Sequence, residues 1–179
     1  SGVIPTGDTL HVFVCHFPSR LGGELESEER RIFVASVIRS KVDSLFAAKT
    51  NPNIVIMGDF NDYPTNKSML EVLKAIPLND SISSQELYNL MYQLHTEGKG
   101  SNKHNGEWGA LDQMIISGNL LNSKQKFYTK PSDAHFFDAA FLLEDDKTFL
   151  GKQPFRTYVG MKYQEGFSDH LPVFADFWY

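Results

Sequence analysis

A strand, a long helix and a second strand open this chain, and that succession constrains its fold more than any other feature. Leu10-His11-Val12-Phe13-Val14-Cys15 reads as a strand. From Glu24 to Lys49, Val34, Ile38, Val42 and Leu45 recur every three or four positions with charged residues between them, the pattern of an amphipathic helix. Asn51-Pro52-Asn53 stops it, and Ile54-Val55-Ile56-Met57 reads as a short buried strand. Strands joined through a helix pair in parallel, because an antiparallel partner needs only a tight turn.

Further along, the pattern predicts a second helix from about Asn66 to Ala75, with Thr65 as cap and Pro77 ending it. Ser83-Ser84-Gln85-Glu86 offers a capping box for a third, carrying Leu87, Leu90, Met91 and Leu94 on one face and closing near Gly98. Leu111 to Ser117 and Leu171 to Phe177 read as strands, with weaker strand signals around Phe127 and from Ala139 to Leu143. No repeat, low-complexity segment or linker divides the chain. The fold class is α/β or α+β, in a single domain over residues 1–179; 179 residues with 41% hydrophobic content suffice to bury a core.

Charge and cysteine content exclude several functions. A net charge of −5 and a pI near 5.6 argue against a broad basic surface that would hold nucleic acid through its phosphates, though a local patch stays open. No apolar run approaches the roughly 20 residues of a membrane span, and the first thirty or so lack a signal-peptide layout. Ser1-Gly2 reads as an added start and leads almost directly into a strand, so the natural N-terminus, with any targeting address, is expected upstream. Cys15 is the single cysteine, which rules out an intramolecular disulfide and a cysteine zinc site; it reads as a small core residue.

Two acidic clusters lie at the ends of apolar runs. Gly58-Asp59-Phe60-Asn61-Asp62 follows the strand ending at Met57, and Ser168-Asp169-His170 precedes Leu171-Pro172-Val173. Polar side chains at strand mouths are how a scaffold presents reactive groups, although Gly, Asp and Asn also make ordinary turns. If the first strand continues briefly, Asp59 and Asn61 share a face, one accepting a proton and the other donating to a phosphate oxygen. Asp112, inside Leu111-Asp112-Gln113-Met114-Ile115-Ile116, needs a partner because a buried charge is costly alone, and a histidine at a neighbouring strand mouth would serve.

These blocks together resemble the endonuclease/exonuclease/phosphatase superfamily. Gly58-Asp59-Phe60-Asn61, the Trp108…Leu111-Asp112 segment, Ser168-Asp169-His170-Leu171-Pro172-Val173 and Val14-Cys15-His16-Phe17 stand in the family's order over residues 11–177. The resemblance implies a four-layered α/β sandwich, two facing mixed sheets with helices outside, and a phosphoesterase hydrolysing phosphodiester or phosphomonoester bonds. It gives Asp59 the orientation or deprotonation of water, and Asn61 a phosphate oxygen. It gives His170 the phosphoryl charge, Asp112 the orientation of that imidazole, and His16 a second phosphate-facing position. Asp169 resembles the metal-proximal carboxylate, and carboxylate oxygens suit magnesium, with manganese as alternative, better than zinc. The family's metal-ligating glutamate and early asparagine have no counterpart here, so the chain resembles the C-terminal portion of such a domain. That implies a partner, the N-terminal half or a second copy of the chain, and little activity alone.

Weaker candidates flank these blocks. Arg156 and Tyr158, with Lys162 and Tyr163, read either as the mouth of an anionic substrate site or as an ordinary loop. Arg20 reads as a phosphate contact or a structural residue, and Trp108 as a core anchor rather than a stacking platform. His11, His95 and His135 read as structural or solvated. The substrate is a phosphate ester, and the acidic balance favours a small one over long duplex DNA, with nucleic acid still open. The other class is a binding module that kept the fold and lost the chemistry.

Overall fold

The computed structural model describes residues 1–49 and 51–179. The chain opens on β1 (Gly2–Val3) and β2 (Thr9–His16), runs through the long helix α1 (Glu24–Ala48), and returns as β3 (Asn53–Asp59). β2 and β3 pair in parallel, with Leu10 opposite Asn53 and His16 opposite Asp59, as the strand, helix, strand order requires. β4 (Ala75–Ile76) and β5 (Leu87–Asn89) follow, then α2 (Tyr92–Thr96), β6 (Asn102–His104), β7 (Glu107–Gly109) and β8 (Asp112–Ser117). The main sheet has six strands in the order β1-β2-β3-β8-β5-β4; β8 is antiparallel to both β3 and β5.

Alternation along β3 and β8 assigns the two faces of this sheet. Ile54, Ile56 and Ile115 point to one side and pack with Ala35 and Val42 of α1, Phe17, Phe60, Met69 and Leu73. Val55, Met114 and Ile116 point to the other, against Leu90, Met91, Leu120 and Ala134. Each fully buried isoleucine contributes about 1.5–3 kcal/mol through the water it sheds. β3, buried on both faces, is therefore the spine of the fold. The second face is covered by a small antiparallel sheet of β9 (Ala134–Phe136) and a late strand, Val173–Ala175, whose Phe136, Val173 and Ala175 face the core. Between them β10 (Leu143–Asp145), β11 (Lys152–Pro154), β12 (Tyr158–Val159) and β13 (Lys162–Tyr163) form two short hairpins, so the late strand is β14. On β2, Phe13 and Cys15 pack toward α1, whereas Val12 and Val14 on the opposite face are 42% and 77% exposed.

Several elements differ from the sequence reading. The stretch expected as a helix from Asn66 to Ala75 is a single wide turn, Ser68–Leu73, with no side-chain cap from Thr65 or Lys67, and it ends at Lys74 in the left-handed region at φ 59°. The capping box opens no helix: the Ser83 hydroxyl accepts the Gln85 N–H, the Glu86 carboxylate takes the Tyr88 hydroxyl, and Leu87–Asn89 is strand β5. All three residues of β5 are buried, and a run buried all round carries no period that separates strand from helix. Near Phe127 there is only an isolated bridge, Tyr128 to Trp178, and Ala140–Leu142 is a helical turn before β10. Cys15 packs against the first core as expected, and burial pushes its thiol up to about 11, which leaves it protonated. No helix among the described residues is long and apolar enough to cross a membrane.

Candidate active site

Three strand ends meet at one edge of the main sheet. β2 and β3 finish there and β8 begins there, so His16, Asp59 and Asp112 stand side by side in register. Gly58 permits the close approach: its φ is +133°, and a Cβ there would lie 2.0 Å from the Cys15 carbonyl oxygen. Two carboxylates facing each other across an antiparallel ladder repel, so Asp59 and Asp112 need a shared proton or cation between them. Burial pushes the Asp59 carboxyl above its usual range; the Asn61 N–H pulls it partly back, the charge of Asp112 adds to the rise, and His170 and His16 lower it.

Asn61 reaches Asp59 through a turn, not through the continued strand that the sequence suggested. The strand stops at Asp59, and Asn61 adopts the left-handed region at φ 49°, which asparagine tolerates better than most residues. Its N–H donates to Asp59 Oδ1 at 2.8 Å, and Nδ2 donates to the Phe17 carbonyl at 3.1 Å and to Asp59 Oδ2 at 3.3 Å. His16 is 77% exposed in its side chain, with Nε2 3.7 Å from Asp59 Oδ2.

His170 arrives from the loop before β14. Its Nδ1 lies 2.6 Å from Asp112 Oδ2, the partner that a carboxylate in an apolar run demanded. Accepting from Nδ1–H, Asp112 fixes the tautomer and leaves Nε2 available. Burial alone lowers the His170 pKa, but the hydrogen bond and charge of Asp112, helped by Asp59 and Asp169, raise it above the usual histidine value. Two residues that the sequence did not single out hold the pair together. Ser101 is fully buried; its hydroxyl accepts the Asp112 N–H at 3.1 Å and its carbonyl accepts the Leu171 N–H at 2.7 Å. Asn102 donates to the Asp169 carbonyl at 3.0 Å.

One donor atom each from Asp59, Asp112 and His170 lie within 4.8 Å of one another, close enough to hold one ion. Two carboxylates and one imidazole fit part of a divalent cation's shell, the oxygens suiting a hard ion, with water completing it. Asp169 is not in this group: its side chain is exposed beside His170.

The flanking candidates are placed differently. Arg20 donates through Nε to the Asn61 carbonyl at 2.7 Å and through its other nitrogens to Glu24 at 3.0 Å and Asn66 at 3.3 Å, while its guanidinium lies 4.4 Å from the Tyr63 ring centre. Arg156 donates to the Lys103 carbonyl at 3.1 Å, and Tyr158 lies against Tyr163 in the β12–β13 hairpin. Among the described residues no hydrogen bond or ion pair joins Arg156 or Tyr158 to the cluster. The hairpin base is nevertheless tied to the His170 loop, because Phe167 and Ser168 both donate to the Phe155 carbonyl. Trp108, half-buried on β7, lines a cavity of about 510 Å³ with Leu94, His135, Leu143 and Leu171.

Residues 3–177 match the sequence profile of the Endonuclease/Exonuclease/phosphatase family, and the chain belongs to that family. Two solved structures from Bacteroides thetaiotaomicron are similar to it. One, a mannosyl-6-phosphatase, is 17% identical with a TM-score of 0.54, the match covering 97% of this chain and 53% of that one. The other, an endonuclease/exonuclease/phosphatase family protein, is 16% identical with a TM-score of 0.49, covering 94% of this chain and 49% of that one. The chain thus spans about half the length of the solved structures it matches. No curated protein matches it.

Proposed function

We propose that this protein is part of a metal-dependent phosphoesterase that hydrolyses phosphodiester or phosphomonoester bonds. The observation that carries this reading is the in-register row of His16, Asp59 and Asp112, closed by the Asp112–His170 hydrogen bond at 2.6 Å. Asp59, its carboxyl raised above its usual range by burial, accepts a proton from the attacking water. Asn61 Nδ2 turns one N–H, the one that donates to Asp59 Oδ2 at 3.3 Å, to a non-bridging phosphate oxygen. His170, whose protonated form the Asp112 carboxylate favours, gives its Nε2–H to the charge that develops on the phosphoryl group, with His16 beside it. A bound divalent ion, magnesium or alternatively manganese, held by Asp59, Asp112 or Asp169 carboxylates, would supply further charge stabilisation.

Arg156 and Tyr158 remain proposed substrate contacts through the hairpin tied to the His170 loop; Arg20 is assigned a different role below. The acidic balance favours a small phosphate ester over long nucleic acid, and a protein of this fold is named as a mannosyl-6-phosphatase, which supports that preference. We further propose that residues 1–179 form the C-terminal portion of the catalytic domain, completed by an N-terminal half or a second copy of the chain. Screening the complete protein against small phosphate esters, phospholipid head groups and nucleic acid, with and without magnesium, tests this reading. Magnesium-dependent release of phosphate is the expected result; binding without turnover on every class overturns it.

A further inference from the structure

Behind Asn61 lies a second charged cluster that the proposed chemistry does not use. The Asp62 side chain is 1% exposed, and that of Arg31, in the second turn of α1, is 0% exposed. Arg31 Nε sits 2.8 Å from Asp62 Oδ1, a charge contact rather than an aligned hydrogen bond. The other guanidinium nitrogens donate to the Ser27 hydroxyl at 2.6 Å and the Glu24 carbonyl at 2.8 Å, which anchors Arg31 to its own helix. Ser68 donates to Asp62 Oδ2 at 2.5 Å, and Gln113, fully buried on β8, donates from Nε2 to the Asp62 carbonyl at 2.6 Å. Arg20 completes the ring, with Nη2 3.6 Å from Asp62 Oδ1 and Nε on the Asn61 carbonyl.

A buried ion pair is a poor way to gain stability, since apolar residues of similar volume do as well or better. What this one does have is position. It gathers α1, the Ser68 turn and β8 around the residue that follows Asn61, and Asn61 holds a left-handed conformation that needs outside restraint. We propose that Arg31, Asp62 and Arg20 are a positioning unit that locks Asn61 in its left-handed turn, so that its amide stays aimed at Asp59 and at the phosphate. The inference deepens the phosphoesterase reading and rests on it for the role of Asn61. It reassigns Arg20 from the substrate to the frame behind the site.

The test is the double variant Arg31→Met/Asp62→Asn in the complete protein, which removes both buried charges and leaves neither unpaired. Two readouts are taken. In proton exchange followed by NMR, the Asn61 backbone amide, which donates to Asp59, should exchange about tenfold faster, while Ile56 and Ile115 in the core keep their protection. In kinetics, kcat should fall about tenfold or more with KM little changed, because Asn61 is asked to act on the transition state. The single variant Arg31→Met, which strands the Asp62 charge, should be worse than the double variant on both. Where the double variant does not fold, Arg20→Met, which removes the Asn61 carbonyl clamp and the outer charge together with the Glu24 and Asn66 bonds, is read in the same way. Unchanged Asn61 exchange in a folded variant, or faster exchange at Ile56 and Ile115 to the same extent, overturns the proposal. Selective loss of Asn61 protection in a protein that hydrolyses no phosphate ester upholds the positioning unit and overturns the phosphoesterase reading instead.

Discussion

The Asp112 carboxylate and the His170 imidazole, 58 positions apart in sequence, meet at 2.6 Å across the mouth of the main sheet. Asp112 starts β8 and His170 sits in the loop before β14, and Ser101 joins the two by accepting from Asp112 and from Leu171. If the carboxylate raises the imidazole pKa, Asp112→Asn lowers it and lowers activity with it. Histidine titration by NMR reads this directly. A His170 midpoint that does not move in a folded Asp112→Asn protein shows that the charge on His170 is set elsewhere.

The same pair sets a pH dependence of stability. His170 has a native pKa above its unfolded value, so its contribution is fully present below about pH 6.5, the ordinary histidine value, and is lost as pH rises through the native one. Asp59 works in a lower window and in the same sense: its raised native pKa marks a cost of holding the charged form, which sets in as pH rises from the ordinary carboxyl value through the native one. Urea unfolding of the wild type and of His170→Gln should therefore differ most near pH 6 and converge toward pH 9. A difference independent of pH over that range contradicts the assignment of the proton to this pair.

Asp59→Asn and His170→Ala should each reduce turnover of the complete protein by roughly a hundredfold or more, the usual consequence of removing a proton acceptor or a charge stabiliser. Neither belongs to a hydrophobic core cluster, so circular dichroism should change little, and the activity loss is read on folded protein at a pH where both variants remain below their unfolding transitions. Turnover close to wild type in either variant removes that residue from the chemistry.

How far the sequence revealed this arrangement depends on whether a signal was local. α1 and its flanking strands were legible because Val34, Ile38, Val42 and Leu45 carry a helical period that agrees with the packing of α1 on β3. The Asp112–His170 contact was legible from cost: a carboxylate in an apolar strand has to be neutralised. Leu87–Asn89 was misread because the segment is buried on all sides and has no polar face to time its period. Arg31 stayed hidden within a run of Glu24, Glu26, Glu28 and Arg30 that reads as a solvated helix start, yet it is fully buried. Ser101 left no trace at all, since a small polar residue in a loop gains meaning only from what the fold brings beside it. Polar residues inside apolar strands, Gln113 above all, were the available clue to the cluster behind Asn61.

The proposed organisation of the domain makes the last prediction: residues 1–179 taken alone should bind magnesium weakly and hydrolyse phosphate esters slowly or not at all. With His170 protonated and turned to the phosphoryl group, Asp59 and Asp112 leave only two close carboxylates, whereas magnesium favours an octahedral shell, so the ion would keep most of its water and little affinity. The similar solved mannosyl-6-phosphatase is about twice as long as the match to this chain. One face of β2 leaves Val12 and Val14 at 42% and 77% exposure beside the site, an apolar strip that an added layer would cover. Adding a separately expressed upstream half should therefore raise the magnesium affinity measured by calorimetry, protect the β2 amides from exchange and restore hydrolysis that neither part shows alone. Sedimentation in the absence of that half distinguishes a self-associated chain, the other proposed partner, from a monomer. Vigorous magnesium-dependent turnover by monomeric residues 1–179 would show that the three strand ends and the His170 loop already form a complete site, and the two-part reading would fall.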